Sequence, residues 1–185
     1  MPLSPPAARE RLHTRTITCH GYQRADGLFD IEGHITDVKT TPVPNEWRRD
    51  IPPGVPIHEM WARLTLDKDM LVVSAEAASD HTPYEICPAV APSFAALAGL
   101  RIGPGWRKLV KETVGGTKGC THIVELIGVL GTVAYQTLWP VRAKEYKSSP
   151  TTRPPILDTC HALRSDGPVV KRFFPTHYVG DGKPR

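Results

Sequence analysis

The stretch "LFDIEGHITDVKT", Leu28–Thr40, settles what kind of domain this chain builds. In an extended strand Gly33, Ile35, Asp37 and Lys39 point one way, and Glu32, His34, Thr36 and Val38 point the other. Just before it, "RADG" (Arg24–Gly27) is a turn with its glycine placed for positive φ. Before that, "TRTITCHGY" (Thr14–Tyr22) is rich in β-branched residues, so the two runs read as a hairpin. After a proline-rich loop, Thr41–Pro56, "IHEMWARLTLD" (Ile57–Asp67) alternates with period two. Met60, Ala62, Leu64 and Leu66 share one face, and Glu59, Trp61, Arg63 and Thr65 the other. "DKD" (Asp67–Asp69) is a second turn, and "MLVVSAEAAS" (Met70–Ser79) a fourth strand. Four largely antiparallel strands follow.

The second half is helical. "TPYEICPAVAPSFAALAGL" opens with Thr82 as N-cap and Pro83 at the first helical position, and Pro88 and Pro92 break it in two. "GPGWRKLVKETVGG" supplies a short helix stopped by Gly115. "CTHIVELIGVLGTVAYQTLW" is the central helix, with Ile123, Leu126, Ile127 and Leu130 on its buried stripe. The fold class is α+β: an antiparallel sheet of about four strands packed by two or three helices. Residues 1–12 read as a flexible N-terminal segment, 13–148 as a single α+β domain and 149–185 as an extended C-terminal arm. The arm carries Phe173, Phe174 and Tyr178, which favours packing on the domain or on a partner subunit, so a homo-oligomer is expected.

Composition narrows the function. A chain of 185 residues with 40% hydrophobic and 23% charged content can bury its own core. The net charge of +4 is spread and interleaved with acids, which argues against nucleic-acid binding. No signal-peptide pattern follows Met1, and the apolar run Ile123–Leu138 is short for a bilayer span and carries Glu125, so neither export nor membrane insertion is expected. The four cysteines form no CxxC pair. A reduced, cytoplasmic protein without a cofactor or a structural metal is the expectation. No GxGxxG, P-loop, GxSxG or HExxH is present, which argues against nucleotide-dependent and standard serine-hydrolase mechanisms.

The chemistry gathers on histidines. In "GCTHIVEL" (Gly119–Leu126), His122 and Glu125 are three apart on one side of a helix start. The helix N-terminus disfavours an imidazolium, so His122 reads as a neutral base oriented by Glu125. The alternative is a helix start with Thr121 as cap and Glu125 as a dipole-favoured acid. Half of a metal site is a further reading, but the second His–Glu pair that such a bundle site requires is missing. Asp37 and Lys39 are neighbours on one strand face: a surface ion pair or, in a pocket, a desolvated lysine base. His58 stands at the mouth of a strand. His34 lies on the opposite face from Asp37. Arg63 beside Trp61 suits a carboxylate or ring clamp, or an ordinary exposed charge. Tyr84 can exchange a phenolic proton. Asp158 and His161 in the arm form a possible orienting pair.

Taken together, "GLFDIEGHITDVKT", "GVPIHEMWARLTLD", "RIGPGWR", "GCTHIVEL" and "LDTCHALRSDGPVV" resemble the bacterial domain-of-unknown-function family numbered 2889, from about His13 to Val170. The resemblance implies, for some members, a cofactor-free lyase of lignin-derived aromatic dimers. Such an enzyme expels the γ-carbon of a phenylcoumaran as formaldehyde and leaves a stilbene. On that implication His122 with Glu125 forms one acid/base unit, and Tyr84 and Lys39 handle a phenolic oxygen. His34, His58 or His161 takes the γ-hydroxyl proton, and Trp61 and Trp106 wall the rings. The rivals are a hydrolase of aromatic esters or thioesters and a non-enzymatic binding module.

Overall fold

A computed structural model describes residues 3–148 and 152–180. Residues 149–151, with Pro150 of the junction, and the last five residues of the arm lie outside the described residues. The chain divides into two compact units, Met1–Leu138 and Trp139–Arg185. The boundary falls inside a helix rather than at residue 149.

The first unit is an antiparallel meander. Strands β1 (His13–Gln23), β2 (Phe29–Lys39), β3 (Pro56–Leu66) and β4 (Val72–His81) lie in the order β1-β2-β3-β4. The β1–β2 hairpin closes through Gly27 at φ 87°, with Arg24 N donating to Leu28 O at 2.8 Å. That turn puts Gln23 opposite Phe29 and, eight residues on, Arg15 opposite Asp37. The inward face of β2 and β3 is the apolar one the alternation predicts: Ile31, Ile35, Met60, Leu64 and Leu66 are at most 1% exposed. Strand β4 begins at Val72, not Met70. The Asp67 carboxylate accepts from Asp69 N and Leu71 N, and the turn it builds holds Met70 at φ 68°.

Helices α1 (Trp106–Val114) and α2 (Thr121–Ser148) follow. The segment read as a capped, broken helix from Thr82 is instead a 3-10 run, Cys87–Leu97, with Ile86 at its N-cap position and no side-chain cap. Thr82 Oγ1 donates to Tyr84 O at 3.0 Å and so shapes the loop before the run. Pro92, inside the run, removes an amide donor that an α-helix needs there, while Pro88 stands at its start, where none is required. Helix α2 buries Ile123, Leu126, Ile127, Leu130, Ala134 and Leu138 completely. It runs longer than the apolar stretch suggested. By length and composition Thr121–Lys144 could cross a membrane, and 44% of its apolar window is buried in the fold.

Gly33 sets how closely α2 lies on the sheet. A methyl group there would stand 2.7 Å from Leu126 Cδ1 and 2.9 Å from Leu130 Cδ2. Trp106, expected as a ring wall of the active site, is a core residue. It is 6% exposed, and its indole Nε1 donates to Ile127 O at 3.2 Å. Gly131 makes room for that indole, since a Cβ there would meet Trp106 Cδ1 at 2.4 Å.

The second unit has its own small core. Trp139 and Tyr146 stack with centroids 6.2 Å apart. They line a cavity of about 620 Å³ with Ile156, Leu163 and Phe174. Helix α3 (Pro168–Phe173) buries Val170. The Asp158 carboxylate accepts from Ser165 N at 2.7 Å and from Arg153 Nη2 at 2.5 Å. It therefore closes a loop and does not orient His161, which is exposed.

Gly33→Ala tests the helix–sheet distance. Alanine elsewhere in a strand is the better residue by about 0.5–1 kcal/mol. Here we expect a loss of about 1–3 kcal/mol from overpacking, read as a lower urea midpoint with an unchanged m-value.

Candidate active site

Asp37 is a carboxylate on the inward, apolar face of β2, and it is 3% exposed. An isolated charge in such a place is costly and persists only when paired and hydrogen-bonded. The pairing comes from edge strand β1. Arg15, directly opposite in the ladder, lays its guanidinium on both oxygens, with Nε 2.9 Å from Oδ1 and Nη2 2.9 Å from Oδ2. His13, two residues earlier on the same face, places Nε2 2.7 Å from Oδ1. Burial pushes the Asp37 carboxyl up, but hydrogen bonds from Arg15 and His13 and the Arg15 charge outweigh it and hold it at about 2.

Two further imidazoles face the same carboxylate. His58 Nδ1 lies 3.3 Å and His122 Nε2 3.7 Å from Oδ2. Their rings stack at a centroid distance of 3.7 Å and an interplanar angle of 30°. His58 comes from β3, beside the irregularity in its pairing with β2 at Asp37/Val38, and His122 from the first turn of α2. Burial, then the neighbouring His122 and the Arg15 charge, lower the His58 pKa to about 4 against the pull of Asp37. Burial also lowers that of His122, with Arg15 adding to it and Asp37 opposing. Both rings are thus neutral bases at neutral pH. Folding is coupled to pH accordingly. Between the ordinary 6.5 and about 4 the unfolded chain binds a proton at His58 that the folded chain refuses. That share of the stability is complete above pH 6.5 and is lost as the pH falls through 4.

The other ring nitrogen of His122, Nδ1, faces Cys120 Sγ at 3.8 Å. Glu125 does not orient His122. Its Oε2 accepts from Arg15 Nη1 at 2.5 Å, so it locks the guanidinium from the far side. The expected Asp37–Lys39 pair is replaced by Arg15, because the cross-strand neighbour reaches Asp37 within the fold while Lys39 is exposed at the strand end.

The remaining candidates lie elsewhere. His34, on the outer face of β2, stacks on Trp61 at 3.7 Å and meets Glu59 Oε1 at 3.0 Å. Glu59 also holds His81 Nδ1 at 2.7 Å, and Trp61 Nε1 donates to Asp80 at 2.8 Å. Arg63 is engaged by Glu32 at 2.7 Å and Glu76 at 2.6 Å. A shallow hollow of about 360 Å³ beside Trp61 and Arg63 opens on this outer face, away from Asp37. Tyr84 is exposed and meets Trp47 edge to face at 5.2 Å. His13 and Arg15 were not among the expected site residues. Their signal was present: stepping back from the "RADG" turn puts Arg15 opposite Asp37.

Asp37, His58 and His122 also form a donor set, with one ligand atom from each lying within 4.8 Å of the others. Two imidazoles and a carboxylate are groups a divalent ion accepts.

The chain belongs to the family described as protein of unknown function DUF2889, which it matches over residues 13–136. That span contains every residue of the Asp37 cluster. No curated protein and no solved structure matches the chain.

Arg15→Met leaves Asp37 buried without its strongest partner. We expect a loss of about 3 kcal/mol. Arg63→Met, which removes exposed pairs on the outer face, should cost about 1 kcal/mol or less. Equal losses in urea unfolding would show that Asp37 does not depend on Arg15.

Proposed function

We propose that the chain is a carbon–carbon lyase of the aldehyde-lyase type. Its substrate is a phenolic, lignin-derived β-5 dimer, and it releases formaldehyde and leaves a stilbene. The observation that supports this reading is the pair of stacked imidazoles, His58 and His122, set over one buried carboxylate. The reaction needs two proton acceptors close enough to serve one substrate, and this cluster offers them.

His122 takes the phenolic proton. The phenolate pushes electrons through its ring, the Cα–O bond of the dihydrofuran opens, and a quinone methide forms. His58 takes the γ-hydroxyl proton. The Cβ–Cγ bond then breaks, its electron pair forms the Cα=Cβ bond and restores the aromatic ring, and formaldehyde leaves. The γ-hydroxyl proton ends on the freed aryl oxygen, and the first proton returns to the phenolate. The step is redox-neutral and consumes no co-reactant. Asp37 is a positioning residue that holds both rings, and Arg15 positions Asp37.

Purified protein given a phenolic β-5 dimer should yield formaldehyde and stilbene in equal amounts. His58→Ala and His122→Ala should each lower kcat/KM by at least about 100-fold, while His34→Ala on the outer face stays near wild type. Folded protein that releases no formaldehyde defeats the proposal. A second reading rests on the Cys120 Sγ–His122 Nδ1 contact at 3.8 Å, a thiol–imidazole pair at a helix start. It requires turnover of aryl thioesters that Cys120→Ala abolishes.

A further inference from the structure

We infer that Asp37, His58 and His122 form a binding site for one divalent transition-metal ion. His58 Nδ1 and His122 Nε2 converge on Oδ2 of Asp37 from 3.3 and 3.7 Å. The longer gap is no hydrogen bond and the shorter is at the outer limit of one. Both are close to the spacing an ion sets: donors held about 2.1 Å from a common tetrahedral ion stand about 3.4 Å apart. The two rings, stacked at 3.7 Å, would turn about their side-chain bonds to bring both in-plane lone pairs onto it. The donor set is two imidazoles and one carboxylate within 4.8 Å, which suits zinc, cobalt or iron rather than the oxygen-only sites of calcium and magnesium.

The surroundings have the form of an outer coordination shell. A ligating carboxylate is normally hydrogen-bonded on its remaining positions, and a ligating imidazole has a partner on its other nitrogen. Asp37 Oδ1 carries Arg15 Nε and His13 Nε2, Oδ2 keeps one bond from Arg15 Nη2 at 2.9 Å beside the side that faces the imidazoles, and His122 Nδ1 faces Cys120 Sγ. Arg15 is neutralised in turn by Glu125, so the nearest fixed cation does not stand uncompensated beside the ion. The two imidazole side chains are 18% and 23% exposed, so an ion can enter and keep an open position for water or a substrate oxygen. The three ligands come from β2, β3 and the first turn of α2, so the ion would also tie the helix to the sheet.

This inference goes beyond the lyase reading and stands without it. The metal-free chain has both bases free for the lyase chemistry, and a bound ion, by taking their lone pairs, would block it.

The test is zinc binding to the full chain, stripped with EDTA and dialysed, by isothermal titration at neutral pH with no substrate. We expect one saturable equivalent. Affinity should fall at least about 100-fold in His58→Ala and in His122→Ala, and should be unchanged in His34→Ala. No saturable equivalent, or one that survives both substitutions, overturns the site. If the alanine variants do not fold, cobalt(II) added to the wild-type chain decides. Visible d–d bands of a low-coordinate nitrogen–oxygen site support it, and the spectrum of the aquo ion overturns it. Formaldehyde release with and without zinc is read separately. Zinc suppression of release is the expected result, and zinc binding without any release would leave this site standing and the lyase reading overturned.

Discussion

A carboxylate buried on the apolar face of a sheet is the constraint on which this structure turns. Asp37 sits where its alternation partners Ile31 and Ile35 are fully buried. It can be charged there because Arg15 reaches across the β1–β2 ladder to both of its oxygens. Glu125 then fixes Arg15 from helix α2. One chain of charges, Glu125–Arg15–Asp37, thus links the helix to the edge strand and to β2. The imidazoles of His58 and His122 are held against the end of that chain, in a place that keeps them unprotonated. The clamp and the rings share Asp37, so changes that weaken the clamp also disturb the rings.

The sheet separates two polar clusters. His58 and Glu59 are sequence neighbours, yet their side chains go to opposite faces. His58 joins Asp37 and His122 inside, and Glu59 bridges His34 and His81 outside. The outer cluster is stacked against Trp61, and Glu59 has an imidazole nitrogen within hydrogen-bond distance of each oxygen. The inner cluster differs in one respect: two ring nitrogens aim at an oxygen they do not fully reach. That gap is the feature on which a proton or an ion can act.

Much of this fold was legible from period-two alternation, because each strand buries one face and a one-residue slip would expose it. "LFDIEGHITDVKT" and "IHEMWARLTLD" carried the sheet, and "RADG" carried its first register. The 3-10 run at Cys87–Leu97 was less legible, since its apolar spacing suits an α-helix and only the prolines argue otherwise. His122 and His58 were visible as candidate bases from their positions at a helix start and a strand mouth. Their meeting was not, because it depends on how α2 lies across the sheet, and Gly33 sets that distance from another strand. Glu125 lay on the expected side of its helix but found a stronger partner in Arg15. Local spacing along one element shows which residues share a side; it does not show what the facing element brings to them.

The most direct test is the titration of the imidazoles of His58 and His122 by nuclear magnetic resonance in metal-free protein, assigned by single substitutions. The account predicts that both rings protonate below the ordinary 6.5, His58 at about 4. Protonation of both at or above 6.5 would contradict it, since the rings would then be ion-pair partners of Asp37 and not neutral bases held beside it.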